Sequence, residues 1–401
     1  MKRDMRKPRV FYLAWQVPSV TSGAMLAMHR HFIQHDDFEL FVASDMPFSE
    51  PGIPSFRIDT PPLLQRLRNT RFARAVRQYE MLLRPLLLQT RLRRCAVQFQ
   101  PDIIFTIPDN SWSWTAFLLA QRLRLPLVAN FQDWWPRCMF NYAFNEPYPM
   151  TRYVLERRFR RTYRDSALAF CTSPGMQAFL GDHDNSHVLF PIGAPRASIV
   201  AAGPAPARTG GRFRILYAGT PHSSYGQLLR ALVRELRREP ALQLEIYGTA
   251  PDWPAAELAA LQADGTFRGF LPFEKLVSEM QSADAFLSIM SFDARLRVMM
   301  ETSFTTKILD YCLFGKPIVV WGPGYSSIVR LAEETHAMMA VTEPDGAAAA
   351  RALAGLAAQP ERARALGARA LGLSRTCFDH ETIHGIFASN LRRVAGLPAQ
   401  P

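Results

Sequence analysis

The chain has 401 residues, a length that suits two domains of roughly 150–200 residues, each able to bury its own core. A hydrophobic content of 48% against 20% charged residues excludes an intrinsically disordered chain, and no apolar run approaches the ~20 residues of a spanning helix. Five scattered cysteines, odd in number and without CxxC spacing, exclude a disulfide framework and a cysteine-based metal site and suit a reducing cytosol.

In chain order, the first eight residues are basic, but the apolar run behind them ends at Ala14 and gives way to Gln16 and Ser19. It reads as a strand and not as a signal peptide. Short apolar runs then alternate with helical patterns, the mark of βαβ units and a parallel sheet. Strands are predicted at 9–15, 39–43, 102–106, 126–130, 167–171 and 187–190, with helices at 23–34, 62–96, 114–123, 149–164 and 174–180. Residues 201–211, small and rich in Pro and Gly, read as a linker. The alternation restarts after it, with strands at 213–218, 242–247, 266–270, 285–290 and 317–321. Helices are predicted at 227–238, 254–263, 272–282, 306–314 and 326–333, followed by Ala-rich helical patterns through 373 and a last helix at 380–394. The fold class that follows is α/β, with two doubly wound, Rossmann-like parallel sheets facing a cleft. The domains are 1–200, 212–375 and a closing helix and tail over 376–401 that packs back toward the first.

The segment from Thr305 to Val320 is the densest in chemistry. Thr305 and Thr306 can cap a helix, leaving free N–H groups at its first turn. Such a terminus favours an anion, phosphate above all. Lys307 and Asp310 are three apart and share a helix face; a lysine suits phosphate and a carboxylate suits sugar hydroxyls. Gly315 stops the helix in a left-handed conformation, and Pro317 keeps it from restarting. The chain has 42 arginines and only five lysines, so the two lysines here are notable: a compact ammonium is not interchangeable with a planar fork. Lys307 reads as a phosphate contact or a solvated helix residue, and Lys316 as a helix C-terminal cation. Since residues 285–290 form a strand, this loop leaves a strand's carboxyl end, where open α/β sheets bind ligands.

The net charge of +12 is concentrated in two places. Between Leu63 and Arg94 stand nine arginines against Glu80, and between Arg152 and Arg164 six against Glu156. Interleaved with Leu, Phe, Tyr and Val, they suit an anionic membrane face or two solvated helix surfaces. Nucleic acid is the weaker partner, because no recognised binding motif accompanies the charge.

Together these features resemble a GT-B glycosyltransferase, closest to the group-1 (family 4) enzymes, over nearly the whole chain. The specific motifs follow residue 210. Arg214-Ile215-Leu216-Tyr217-Ala218-Gly219 is similar to the first donor-domain strand, and Leu244-Glu245-Ile246-Tyr247-Gly248 to the next. The stretch from Phe267 to Leu276, with Phe270 and Leu271, resembles the loop that meets the nucleobase. The Thr305–Val320 segment falls on the family's motif of two glutamates separated by seven residues. Asp310 takes the second place, which implies a ribose contact; the first falls at Thr302, which is not acidic, with Glu301 one position off. Where the family usually carries a basic residue for the diphosphate after Gly219, this chain reads Thr220-Pro221-His222-Ser223. Arg295, Arg297 or Lys307 is then the substitute cation. Ser22-Gly23-Ala24 opens a helix where the family has its acceptor-side Gly loop.

The resemblance implies sugar transfer from a nucleoside diphosphate sugar to a glycan or lipid-linked acceptor, with retention, in cell-surface polysaccharide biosynthesis. It implies no cofactor beyond that donor substrate and no metal. Asp133, Asp109 and His222 are the candidate catalytic residues, and Gly219, Phe270, Leu271, Arg295, Arg297, Thr305, Thr306, Lys307 and Asp310 the donor-binding ones. Asp133 also reads as a helix cap, and Trp134 and Trp135 as either sugar-stacking or core residues; Asn110 stands beside Asp109. The implied location is cytoplasmic and peripheral at the inner membrane face. Rival readings are a nucleotide-sugar epimerase of the same fold and a non-catalytic nucleotide- or glycan-binding assembly subunit.

Overall fold

The computed structural model describes residues 6–21, 23–138, 148–201 and 211–398. The chain forms two compact units. One comprises residues through Pro191 together with Thr302–Phe304 and Ile383–Pro401, the other Ile192–Glu301 and Thr305–Thr382. Ser22 and most of the expected linker, residues 202–210, lie outside the described residues.

The first unit is built on seven strands: β1 (Arg9–Leu13), β2 (Glu39–Ser44), β3 (Ser55–Arg57), β4 (Ile103–Thr106), β5 (Leu127–Phe131), β6 (Leu168–Cys171) and β7 (Ser186–Val188). They run in the order β3-β2-β1-β4-β5-β6-β7, every pair parallel. The strand order reverses between β1 and β4, so their carboxyl ends open a crevice. The near-continuous apolar character of β1, β4, β5 and β6, buried almost throughout, is what a sheet covered on both faces requires. One layer of its core packs Phe11, Leu13, Ile104, Trp112, Phe117 and Leu119 together.

Residues 62–96, expected as one helix, form four short ones: Pro62–Leu67, Ala73–Leu82, Arg84–Leu87 and Gln89–Phe99. Pro85, with no N–H to give, falls at one break. At another the Thr70 hydroxyl and amide both bond the Leu67 carbonyl, closing a turn. Several of the arginines counted as surface charge are structural. Arg84 is buried and donates to the Asp59 carbonyl at 2.7 Å. Arg158 donates to the Met81 and Leu82 carbonyls and lies over Trp114.

The second unit has six parallel strands: β8 (Phe213–Ala218), β9 (Leu242–Tyr247), β10 (Phe267–Gly269), β11 (Ala285–Ile289), β12 (Ile318–Trp321) and β13 (Met339–Val341), in the order β10-β9-β8-β11-β12-β13. Its switch point lies between β8 and β11. The core joins Ile215, Leu244, Ile246, Leu287, Val319 and Trp321 to Leu229 and Leu232 of the helix Ser223–Leu236 and to Leu353 and Leu356 of the helix Gly346–Ala357. Arg214 in β8 anchors the amino-terminal edge: its guanidinium pairs with buried Glu245 and with Glu279 and donates to Ser282 Oγ at 2.6 Å. Two edge strands, β3 and β13, were not foreseen, and the 3-residue length of each is too short to show periodicity. The final helix, His380–Val394, falls where expected; from Ile383 it belongs to the first unit, where Phe387 packs on Phe32, Phe105 and Phe170.

Candidate functional site

In the second unit, the carboxyl ends of the strands are lined by glycine. Gly219, after β8, donates its N–H to the Tyr247 carbonyl at 2.9 Å, and Gly248, after β9, donates to the Gly269 carbonyl at 3.0 Å. A Cβ on Gly248 would overlap the Gly219 carbonyl oxygen, and one on Gly219 would collide with Lys307 Nζ. The backbone is therefore bare where β8 ends, leaving room for a ligand to approach closely.

Lys307 begins the short helix Lys307–Cys312, and its ammonium lies against Gly219 and 4.3 Å above the Tyr217 ring. Lys307 as a residue is half-buried, and burial around the ammonium lowers its pKa from 10.5 to about 8. No carboxylate pairs with it among the described residues. An enclosed cation held only by an aromatic face is poised for an anion. Tyr311, on the same helix, ties this helix to β8: its hydroxyl accepts the Ala218 N–H at 2.8 Å, and its ring stacks on Phe286 of β11 at 4.4 Å. The lysine is thus fixed at the switch point by packing against both central strands.

Asp310 is buried, and its Oδ1 accepts the Ala194 N–H at 2.7 Å. Gly193 lies so close to Leu309 and Asp310 that a Cβ there would meet Leu309 Cβ at 2.9 Å. The carboxylate therefore holds the start of this unit's chain against the helix. Thr305 and Thr306 do not cap it as expected: the Thr306 side chain makes no capping bond, and the helix has only six residues. Its dipole is correspondingly weak, so the ammonium of Lys307 carries the local positive potential.

Arg295 is exposed and ion-paired to Asp293 at 2.6 Å; Arg297 pairs with Glu301 at 2.9 Å and covers Tyr325. Both cations already have carboxylate partners. His222 stands before the helix Ser223–Leu236 with Nε2 2.9 Å from Thr249 Oγ1, beyond β9. Phe270 follows β10 and is 64% exposed, and Leu271 beside it is half-buried. Lys316 donates to the Ala283 carbonyl.

In the first unit, Asp109 lies beyond β4 at the switch point, where its Oδ2 accepts the Gln16 N–H at 2.9 Å. Burial, its main influence, raises its pKa to about 7. Asp45, following β2, is also raised by burial. Among the described residues, Asp109 Oδ1, Asp45 Oδ1 and Gln16 Oε1 are buried without a hydrogen bond of good geometry, although the indole N–H of Trp112 lies toward Asp45. Three buried acceptor atoms call for donors, the complement of hydroxyl groups. Sequence reading had singled out neither Asp45 nor Gln16; the apolar run ending at 14 and the strand ending at 43 were the available signals. Asn110 takes the Trp112 N–H at 2.7 Å and starts the helix Trp112–Leu123.

Asp133, beyond β5, accepts a hydrogen bond from Ser303 Oγ, and burial raises its pKa. It does not cap a helix through its carboxylate; its carbonyl receives the Trp135 N–H. Thr302, at the position of the first acidic residue of the paired-glutamate motif, is fully buried and offers its carbonyl to Ser173 Oγ at 2.6 Å. Trp134 is a core residue, wholly buried with Nε1 3.1 Å from Glu156.

The sequence profile of Glycosyltransferase Family 4 matches residues 40–189, and that of Glycosyl transferases group 1 matches residues 212–359. No curated protein is significantly similar in sequence. Among solved structures, sucrose-phosphate synthase from Thermosynechococcus elongatus superposes with a TM-score of 0.68 at 15% identity, covering 98% of this chain and 100% of its own. Anabaena HepE, solved with UDP and glucose, gives 0.64 at 15% over 96% and 99%. The α,α-trehalose 6-phosphate synthase of Burkholderia multivorans gives 0.63 at 12% over 98% and 97%. Two Rossmann-like units and a profile match in each converge: the chain belongs to the group-1, family-4-type GT-B glycosyltransferases.

Proposed function

We propose that the protein transfers a sugar from a nucleoside diphosphate sugar to a glycan or lipid-linked acceptor, with retention, in cell-surface polysaccharide biosynthesis. The observation that carries this reading is the Lys307 ammonium, enclosed without a carboxylate beside the bare backbone at Gly219. A diphosphate there supplies the missing charge, and the same contact stabilises the leaving group as the glycosidic bond breaks. Asp310 holds the ribose and so positions the donor, while Phe270 and Leu271 offer an apolar surface to the base. Anabaena HepE binds UDP and UDP-glucose, which makes a uridine donor the first to try. In the first unit, Asp109, Asp45 and Gln16 receive acceptor hydroxyls. Asp133 and His222 are positioning residues, acting through Ser303 and Thr249.

Incubation with a panel of nucleotide sugars and membrane extract, read by released diphosphate, tests the reading. Transfer is expected with one donor and is abolished by Lys307→Met. Conversion of a donor to its epimer without transfer supports the epimerase reading, and binding without turnover the assembly-subunit one. Unchanged donor KM in both Lys307→Met and Asp310→Ala sinks the donor assignment.

A peripheral place at an anionic membrane is supported by the first unit's surface. Leu63, Leu86, Leu87, Met150 and Tyr153 are exposed among exposed arginines such as Arg66, Arg91, Arg152 and Arg157, a pairing that suits an interface of lipid headgroups and acyl chains. No helix of the described residues is long and apolar enough to cross a membrane. Flotation with phosphatidylglycerol vesicles is expected to weaken on changing Leu86 and Leu87 to Ser and Arg91, Arg93 and Arg94 to Gln; undiminished flotation refutes the claim.

A further inference from the structure

Three side chains from opposite ends of the chain converge on the first unit. His35 and Asp37 lie between the helix Gly23–Phe32 and β2, and His384 projects from the closing helix His380–Val394. One nitrogen of each histidine and one oxygen of Asp37 lie within 4.8 Å of one another. His384 Nε2 is 2.7 Å from Asp37 Oδ2, and the His35 ring stacks on the His384 ring with centroids 3.5 Å apart.

We propose that His35, Asp37 and His384 bind a divalent transition-metal ion of the zinc class, pinning the closing helix to the first unit. Two imidazoles and a carboxylate form a borderline-soft donor set that selects zinc, cobalt, nickel or copper over calcium or magnesium. Tetrahedral zinc at about 2.0–2.1 Å from each donor needs donors roughly 3.3–3.5 Å apart; His384 Nε2 and Asp37 Oδ2, now 2.7 Å apart, separate slightly, and the third donor, within 4.8 Å of both, adjusts to meet them. His384 already has the support that metal-bound histidines use. Its Nδ1 is 3.2 Å from Nδ1 of buried His31, whose ring packs on Phe387 at 4.1 Å. That contact fixes the ring and leaves Nε2 as the coordinating atom.

Loading requires one rearrangement. Stacked rings point their in-plane lone pairs side by side, so His35, the half-buried member, turns out of the stack to converge with His384 on the ion. It has space to do so, because His35 lines a surface cavity of about 570 Å³ whose charged rim carries Asp36, Glu39 and Glu50 against Lys7. Asp36 and Glu39 are ion-paired to Lys7 and Arg9, and Glu50 adds a further carboxylate to the rim that favours cation entry. Water from the cavity completes the coordination sphere. The cluster belongs to the first unit and Lys307 to the second, so the proposed role is structural.

The test uses the full-length protein stripped with chelator and titrated with Co²⁺, then Zn²⁺. Expected are a visible cobalt band at one equivalent, its displacement by zinc, and a rise of several degrees in Tm with zinc. His35→Gln and Asp37→Asn, both partly exposed changes that leave the core intact, abolish the band. His31→Phe weakens affinity about tenfold to hundredfold without removing a ligand. His222→Gln, outside this cluster, leaves the stoichiometry unchanged. Absence of a band in the wild type, or a band of equal strength in His35→Gln and Asp37→Asn, overturns the proposal and leaves the group as a stack of imidazoles alone.

Discussion

Lys307→Met should make the empty protein more stable while destroying its affinity for a nucleoside diphosphate. Lowering the ammonium's pKa from 10.5 to about 8 corresponds to roughly 3 kcal/mol, at about 1.36 kcal/mol per pH unit. Because the residue is only half-buried, solvent screening brings this to about 1–3 kcal/mol. The sign follows from the neutral form being favoured in the fold. Below pH 8 the native state carries a charge that it accommodates poorly, and the deficit is relieved as pH rises from about 8 toward 10.5. Methionine has a similar stem and no charge, so at pH 7 the variant gains most of that energy. At about 2–4 °C per kcal/mol for a unit of this size, Tm rises by several degrees, and the wild type's gain in stability above pH 8 disappears. Calorimetry with UDP supplies the other half: wild-type affinity falls above pH 8 as the lysine deprotonates, and the variant's is at least tenfold weaker with no such pH dependence. A variant that is less stable than wild type at pH 7, and that binds UDP equally well, refutes the assignment of this lysine as an unsatisfied cation awaiting phosphate.

Gly219→Ala should fold, yet displace Lys307 Nζ; donor KM is expected to rise at least tenfold, and unchanged KM would show that the ammonium does not meet the donor. Asp109→Asn should flatten the pH dependence of stability between about pH 4 and 7. A carboxyl whose folded pKa is raised to about 7 contributes stability below its unfolded value and loses it as pH climbs through that window; thermal melts across the range check this. Arg214→Met should cost about 3–5 kcal/mol, since it strands buried Glu245 without its partner. Urea titration measures it, and a loss under 1 kcal/mol would mean that Arg268, 3.2 Å from the same carboxylate, suffices.

The strands at 213–218 and 242–247 were readable to the residue, because each is a strand-length segment rich in Leu, Ile, Phe and Tyr, interrupted by Arg214, Gln243 and Glu245 and closed by a glycine. Lys307 was readable as well, since its place after a strand and before a helix breaker is local information. Other features depend on what folding brings together. Gln16, Asp45 and Asp109 follow three different strands, so their shared burial appears only when β1, β2 and β4 lie side by side. Arg295 and Arg297 read as substitute phosphate ligands, and Asp293 and Glu301, two and four residues away in sequence, pair with them in the fold. The break-up of residues 62–96 was likewise signalled by Pro85. His31 and His384, 353 residues apart in sequence, carry no local signal of their contact.

The composition gives Lys307 a further meaning. In a chain that uses arginine almost everywhere, a lysine at this position is an amine that can lose its proton near pH 8, which a guanidinium cannot do. A neutral amine is a nucleophile. On the proposed reading, the Lys307 amine is therefore a point of covalent reactivity toward aldehydes and activated esters that carry a phosphate, shielded once a diphosphate restores the charge. On that reading, the group proposed to meet the donor also offers a chemical handle for labelling or inhibiting the protein when the donor is absent.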